Sequence, residues 1–428
     1  MARIYLDANA TTPLLPQVVE AMLPFFTTAA GNPSSAHQPG QRARAAVDAA
    51  RAALARMLHA APREIVFTSG GTEANNLALA GVLQPYLDRG QPAHLITTQA
   101  EHHAVLHAAE ALERRGIDVT YLAPNRDGLL DPDAFAAALR PHTRLVSVLL
   151  ANNETGVIQP VGKLARIARS HNPAILVHTD AVQAAGKLPL DLSGEFKNVD
   201  LLALSGHKMY APQGTGALFV RTGVKLAPLF HGGPHERQRR AGTENVPGIV
   251  ALGRAAELAL DWLGASTNDW LDSDTELSSR PQAFPTPDGA LAGSRGGGRS
   301  GETCISNPAQ LSALRDRLES GLLAAVPGTC INGSTTHRAP NTTNLRFEGV
   351  DAEALLIALD MQGIAASFGA ACQSGATEPS HVLLAMGLTP AEARASLRLS
   401  LSRLTTAEEI DRALQIIPAA VARLRAIS

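Results

Sequence analysis

From about residue 40 to 255, short apolar runs alternate with longer stretches of helical periodicity, and polar residues follow the ends of several runs. The runs are Glu64 to Phe67, His94 to Thr97, Leu145 to Leu150, Ile175 to His178, Leu201 to Leu204 and Gly216 to Val220. Between them lie stretches such as Gln41 to Leu58, with Ala43, Val47, Ala50 and Leu54 on one helical stripe. Near-continuous apolar strands separated by helices predict an α/β fold, a mostly parallel sheet covered on both faces. Ligands of such sheets bind beyond the carboxyl ends of the strands. Thr68-Ser69-Gly70-Gly71-Thr72, Asn152-Asn153-Glu154, Asp180 and Ser205-Gly206-His207-Lys208 all follow strands, so they are expected on one edge.

The chain after about residue 310 has a different pattern: a helix over Leu311 to Ala325, a strand at Asn344 to Phe347 and a helix from Ala352 to Met361. A loop around Cys372, the strand Ser396 to Leu401 and a closing helix after Thr406 complete it. The expected division is a large domain over 14–260 and a smaller α+β domain built from 1–13 and 310–428. Residues 266–309 turn abruptly to Ser, Gly, Pro and Asp and are expected to be a disordered insertion. Within them, Gly293 to Ser300 imitates a phosphate loop. Arg299 replaces the lysine and no strand precedes it, so a linker is the better reading.

With 428 residues the chain can bury a core large enough for two domains. A net charge of −2 gives no reason to expect nucleic acid or an anionic membrane as partner. No apolar run reaches the length of a membrane span, and Asp7 interrupts the N-terminus before a signal core can form. Cys304, Cys330 and Cys372 are far apart and fit no zinc spacing, which suits a reducing cytoplasm.

Chemistry gathers at the strand ends. A lysine that closes a polar run after an apolar strand, with Asp180 and Gln183 upstream, can hold pyridoxal phosphate. Lys208 would carry it covalently, Asp180 would keep the ring nitrogen protonated, and the polar residues before Lys208 would help bind the phosphate. The glycine turn at Gly70-Gly71 before a helix suits a phosphate too, although Thr72 alone would also serve as a helix cap. His102 could stack on a flat ring, while His103 reads as solvated. Cys372 lies among small residues before a proline-started helix at Pro379, a setting that suits an accessible nucleophile. Arg398, alone among apolar residues on its strand, could clamp a carboxylate.

These residues carry a resemblance to the cysteine desulfurases of the NifS/IscS family, which have the type I fold of pyridoxal-phosphate-dependent transferases. The matching stretches are Tyr5 to Pro13, Gly31 to Ser35, Ala151 to Gly156, His178 to Gln183, Ser205 to Lys208, Arg239 to Asn245, Ala371-Cys372 and Glu378 to Val382. The resemblance runs nearly end to end except for 266–309 and is closest to the nitrogen-fixation branch, NifS.

It implies that Lys208 forms the covalent link, His102 stacks on the ring, Asp180 meets the pyridine nitrogen and Gln183 contacts the ring hydroxyl. Asn153 would lie beside ring and substrate, and Gly71, Thr72, Ser205 and His207 would bind the phosphate. Thr243 would reach the phosphate of a partner subunit, implying a homodimer. Arg398 would bind the carboxylate of L-cysteine. Cys372 would accept its sulfur, pass it to an iron–sulfur scaffold protein and serve as a transient metal ligand shared with that scaffold. Two departures stand out: Phe368 and Ala370 replace the small residues, often serines, that usually precede the cysteine, and 266–309 replaces a short helical connection. A selenocysteine lyase or another class V aminotransferase-like enzyme is the rival within the fold. A non-catalytic iron–sulfur assembly scaffold is the rival outside it.

Overall fold

The computed structural model describes residues 3–264, 305–368 and 378–427. Its central sheet has seven strands in the order Ile65–Thr68, Gly216–Val220, Leu201–Ser205, Leu176–Asp180, Thr143–Ser147, His94–Thr98 and Asp118–Leu122. Of these, Gly216–Val220 runs against its neighbours and the other six are parallel to one another. Alternate residues feed two cores, as the period of a strand requires. Ile65, Phe67, Ile96, Val146, Val177, Leu202, Leu204 and Phe219 face the helices Gln38–Met57, Val161–His171 and Val246–Gly264. Val66, Leu95, Leu145, Leu201, Ala203 and Leu218 face Gly71–Asp88 and His103–Glu113. The first and last of the three helices on the former side touch closely, because Gly253 lies where a Cβ would stand 2.5 Å from Ala50 Cα.

A further core joins Ile4 and Leu6 to Leu311, Leu318, Leu345, Phe347, Leu397, Leu399, Ile410 and Ile417. It packs against an antiparallel sheet of Ser396–Ser400, Thr342–Phe347 and Thr329–Ile331. The N-terminal strand Ile4–Tyr5 pairs in parallel with Ile364–Ala365. Trp262, from the end of the helix Val246–Gly264, also belongs here, and its Nε1 donates to Ile305 O at 3.2 Å.

Several boundaries differ from the sequence reading. The described chain resumes at Ile305, and a helix capped by Asn307 begins at Pro308 rather than at the expected Leu311. Most of the expected insertion, and with it the phosphate-loop imitation, lies outside the described residues. The edge strand Asp118–Leu122 was not expected: it is half-buried throughout and mixes polar with apolar residues. Cys330 sits on a short strand, Thr329–Ile331, that the sequence did not suggest. Ser380, not Pro379, starts the helix His381–Ala385, its hydroxyl accepting from Leu383 N–H.

One buried ion pair holds a loop that borders the functional edge. Arg51 donates to both carboxylate oxygens of Glu236 at 2.7 Å and to Ile65 O at 2.8 Å, and Phe67 N–H donates to Glu236 Oε2 at 3.0 Å. Glu236, Arg237 and Gln238 all have positive φ, a strained run that the pair secures. Glu236→Ala leaves Arg51 buried without its carboxylate and should cost about 3–5 kcal/mol in urea unfolding. A loss below about 1 kcal/mol would show that the pair is not a structural anchor.

Candidate active site

Lys208 ends the single turn Gly206–Lys208 that follows the strand Leu201–Ser205. The turn tolerates no side chain at its first position, since a Cβ on Gly206 would lie 2.4 Å from Thr215 Oγ1. Lys208 Nζ donates to Asn9 O at 2.5 Å and to Ala10 O at 2.6 Å. Just beyond, Tyr210 has φ +65. Its N–H donates to Thr12 Oγ1 at 2.8 Å, and its hydroxyl accepts from Arg403 N–H at 2.8 Å. Such a backbone persists only where its surroundings impose it.

Asp180 closes the neighbouring strand. Its Oδ1 accepts from Val182 N–H at 2.9 Å and its Oδ2 from Asn75 Nδ2 at 2.6 Å, which fixes the plane of the carboxylate. Asn75 comes from the helix Gly71–Asp88, whose N-terminus opens beside Asp180 and Ser205. Gly70 is the N-cap, so Thr72 is the second residue of the helix and not the cap that the sequence allowed.

His102 caps the helix His103–Glu113, its Nδ1 accepting from Ala104 N–H at 3.1 Å. That bond assigns the ring hydrogen of neutral His102 to Nε2. Burial lowers the pKa of His102; Asp180 opposes this and Lys208 adds to it. His207 is pushed down to about 4, chiefly by burial and then by Lys208 and Lys187. Both rings are therefore neutral near pH 7.

Arg398 is 1% exposed. It donates from Nη2 to Asp7 Oδ1 at 2.7 Å and from Nη1 to Asn153 O at 3.0 Å. The pair joins a buried guanidinium to a half-buried carboxylate. Gln183 donates from Nε2 to Asn9 O at 2.9 Å.

Gly71, Thr72, His102, Asn153, Asp180, Gln183, Ser205, His207, Lys208 and Arg398 line one cavity of about 410 Å³. It lies at the carboxyl ends of the parallel strands, within the range of small-ligand sites. Thr243 is not among them: it lines a separate hollow of about 110 Å³ with Ser69, Glu236 and Arg240. Cys372 lies outside the described residues.

The structure adds residues that the sequence reading passed over. His103, read as solvated, lines the cavity and packs its ring 4.5 Å from that of His381. Asn75 and Asn9 supply polar contacts within the site. Their signals were faint: Asn75 lies one turn into the helix after the glycine turn, and Asn9 lies within a matched stretch but carried no role. Glu101, immediately before His102, is fully buried. Its Oε1 accepts from Leu149 N–H at 2.8 Å and Thr98 Oγ1 at 3.3 Å. Burial raises its pKa well above the usual carboxylate range, and Asp180 raises it further.

With this geometry in view, likeness to known proteins fixes the family. The family model for class-V aminotransferases matches residues 4–271 and 307–413. The chain belongs to the class-V aminotransferase family. This class-V chain is 44% identical over 425 residues to a cysteine desulfurase IscS of Methanosarcina thermophila, covering 99% of this chain and 93% of that one. It is 45% identical over 428 residues to a cysteine desulfurase of Trichormus azollae, covering 100% and 95%. Among solved structures, a NifS-like protein superposes with a TM-score of 0.83 at 34% identity, covering 99% of this chain and all of that one. SspA, solved in complex with cysteine, superposes at 0.73 with 34% identity, covering 94% and 99%. The fold is the type I fold of pyridoxal-phosphate-dependent transferases, and the cofactor of the family is pyridoxal 5′-phosphate.

Glu101 gives a test of the site's electrostatics. A carboxyl whose folded pKa is raised keeps its proton in the folded state and loses it in the unfolded state above about pH 4.5. Folding stability therefore falls as pH rises from there toward the folded pKa, by about 1.4 kcal/mol per unit. Glu101→Gln removes this loss, so the variant should gain on wild type between pH 5 and pH 8 in urea unfolding. A difference that stays constant over that range would show that Glu101 is ionised in the folded protein.

Proposed function

We propose that this chain is a cysteine desulfurase, which takes sulfur from L-cysteine, releases L-alanine and carries the sulfur as a persulfide on Cys372. The observation that carries this reading is the convergence of Lys208, Asp180, His102 and Arg398 on one cavity of a class-V fold. Relatives of the same length bear that activity in their names, and the solved relative with bound cysteine supports the substrate.

The residues present fit pyridoxal 5′-phosphate. A Cβ on Gly71 would stand 2.7 Å from Val182 Cγ2, so the turn is bare where the helix N-terminus meets the cavity. Thr72, Ser205 and neutral His207 add hydrogen-bonding groups along the same wall for a phosphate. Asp180, aligned by Asn75 and Val182, offers a fixed carboxylate to a pyridinium nitrogen. Bound there, the cofactor supplies an electron sink for the substrate carbon that bears the amino group.

The chain's own residues do the rest. Lys208 Nζ holds the cofactor at rest and takes the Cα proton of the substrate during turnover. Arg398 binds the substrate carboxylate with its planar fork, drawing on a guanidinium already aligned by Asp7 and Asn153 O. His102 presents a neutral ring for stacking, while Asn153 and Gln183 complete the polar wall. Cys372 Sγ attacks the substrate sulfur: an S–S bond forms, the Cβ–S bond breaks, and its electron pair and a proton end on alanine.

On this reading residues 14–260 form the cofactor domain, and 1–13 with 310–428 form the smaller one. The working unit is a homodimer. Thr243 sits outside its own main cavity, as a residue serving the second subunit's phosphate would. Leu14, Val19, Leu23 and Phe26 form an exposed apolar stretch suited to contact. The sulfur acceptor is an iron–sulfur scaffold protein in the cytoplasm.

Purified protein should produce alanine and sulfide from L-cysteine with a reductant. Lys208→Ala should form no borohydride-reducible link to the cofactor; a reducible adduct at another lysine would overturn its role. Asp180→Asn should keep the cofactor but lose about ten- to hundred-fold or more in turnover, the rate equivalent of an ionic hydrogen bond. Cys372→Ala should bind cofactor and cysteine but make almost no alanine, and intact-mass analysis of wild type should place the extra sulfur on Cys372. Full activity of Cys372→Ala would refute the desulfurase reading while sparing the cofactor site.

A further inference from the structure

Lys187 is 4% exposed, and the charges that act most on it are those of Lys208, Arg398 and Arg403, all positive. Burial, and then these like charges, push its pKa well below that of an ordinary lysine. An amine in such company is destabilising, and an apolar side chain would fill the space more cheaply. Its retention calls for a task at the neighbouring site.

The contact it makes points to that task. Lys187 Nζ donates to Gln183 Oε1 at 2.7 Å. A side-chain amide has one accepting end and one donating end, and its value to a site depends on which end faces where. With Oε1 held by Lys187, the amide turns Nε2 to Asn9 O at 2.9 Å. A carbonyl accepts only from the nitrogen end, so the two contacts enforce the same orientation. The Asn9 carbonyl also accepts from Lys208 Nζ at 2.5 Å. A continuous polar chain therefore runs from Lys187 through Gln183 and Asn9 to Lys208, and Gln183 lines the cavity along the way.

We propose that Lys187 is a positioning residue: it locks the Gln183 amide with its nitrogen toward the cavity and so sets the donor that meets the ring hydroxyl of the cofactor. The inference rests on the cofactor reading above. The second N–H of Gln183 Nε2, beside the one given to Asn9, is the donor in question. Without Lys187 only the Asn9 contact holds the amide, and in the fraction that turns over, its oxygen faces and repels an anionic ring oxygen.

The test is the pH at which the visible band of the reconstituted holoenzyme changes. A donor to the ring oxygen favours loss of the proton from the lysine–cofactor link. Lys187→Met keeps an unbranched chain and removes the donor, so it should raise the midpoint by about half a pH unit or more. Gln183→Leu should raise it similarly. The double variant should go no further than the larger single shift, because the two residues act through one contact. Shifts that add, or a wild-type midpoint in Lys187→Met, would overturn the proposal. Lys187→Gln, whose shorter side chain falls short of Gln183, carries the same expectation if the methionine variant does not fold. Wild-type protein that shows no visible band with added cofactor would instead sink the cofactor reading itself.

Discussion

The N-terminal segment from Ile4 to Thr12 ties the two main bodies of the fold together and sets Lys208 against Arg398. Ile4 and Leu6 are fully buried in the smaller core. A few residues on, the Asn9 and Ala10 carbonyls hold Lys208, and Thr12 N–H donates to His207 O at 2.9 Å. Between these anchors, Asp7 grips Arg398 from the strand Ser396–Ser400. Lys208 follows a strand of the large sheet and Arg398 lies on a strand of the small one, so their separation is set by a stretch of a few residues. Asn9 reinforces the link, its Nδ2 donating to Asn153 O at 3.1 Å and to Thr342 Oγ1 at 2.9 Å. A site that must hold a substrate's amino group and its carboxylate at once gains from this strut.

The electrostatics follow from that placement. Lys208, Arg398 and Arg403 lie near enough to Lys187 to act on it, a concentration of cationic side chains that suits a cofactor and a substrate that both bring negative charge. The histidines lower their charge rather than add to it, since burial pushes His207 and His103 to about 4. Glu101 and Glu154, both fully buried, move the other way, their pKa values raised by burial. Near neutral pH the walls are therefore less charged than their composition suggests, and the cations that remain are the ones positioned to meet an anion.

How much of this was legible in the sequence depends on which force shaped each element. The strands ending in Asp180 and Ser205 were clear, because burial on both faces demands uninterrupted apolar residues. The edge strand Asp118–Leu122 was not, since an outer strand may carry Asp and Thr without breaking its pairing. Residues that act by their own chemistry, such as Lys208 and Asp180, were named from their place after a strand. Asn75, Asp7 and Lys187 act by holding another residue, and their partners are 105, 391 and 4 positions away. The first two pairings exist only once the sheets have formed. The third is local, yet only burial shows that it matters, and burial of a lysine is not visible in a string of letters.

The same logic explains where the fold gives up stability. Buried polar atoms without a partner include Asn75 Oδ1, Glu101 Oε2, Glu154 Oε1 and His178 Nε2. Asn75 and Glu154 line the cavity directly and Glu101 precedes His102, which lines it too, whereas His178, Thr97, Arg144 and Arg338, also with an unpartnered atom, do not line it. Each unsatisfied group costs about 1–3 kcal/mol, a penalty that selection for stability alone would remove with an apolar neighbour. Where such groups do lie at the cavity, they are what a preorganised site requires. Asn75 can hold Asp180 in one plane only by leaving its own oxygen behind, and Glu101 can bond Leu149 N–H only as a buried carboxyl whose second oxygen has nowhere to go. Stability is given up at the positions where the orientation of a neighbour matters more than the satisfaction of the residue itself.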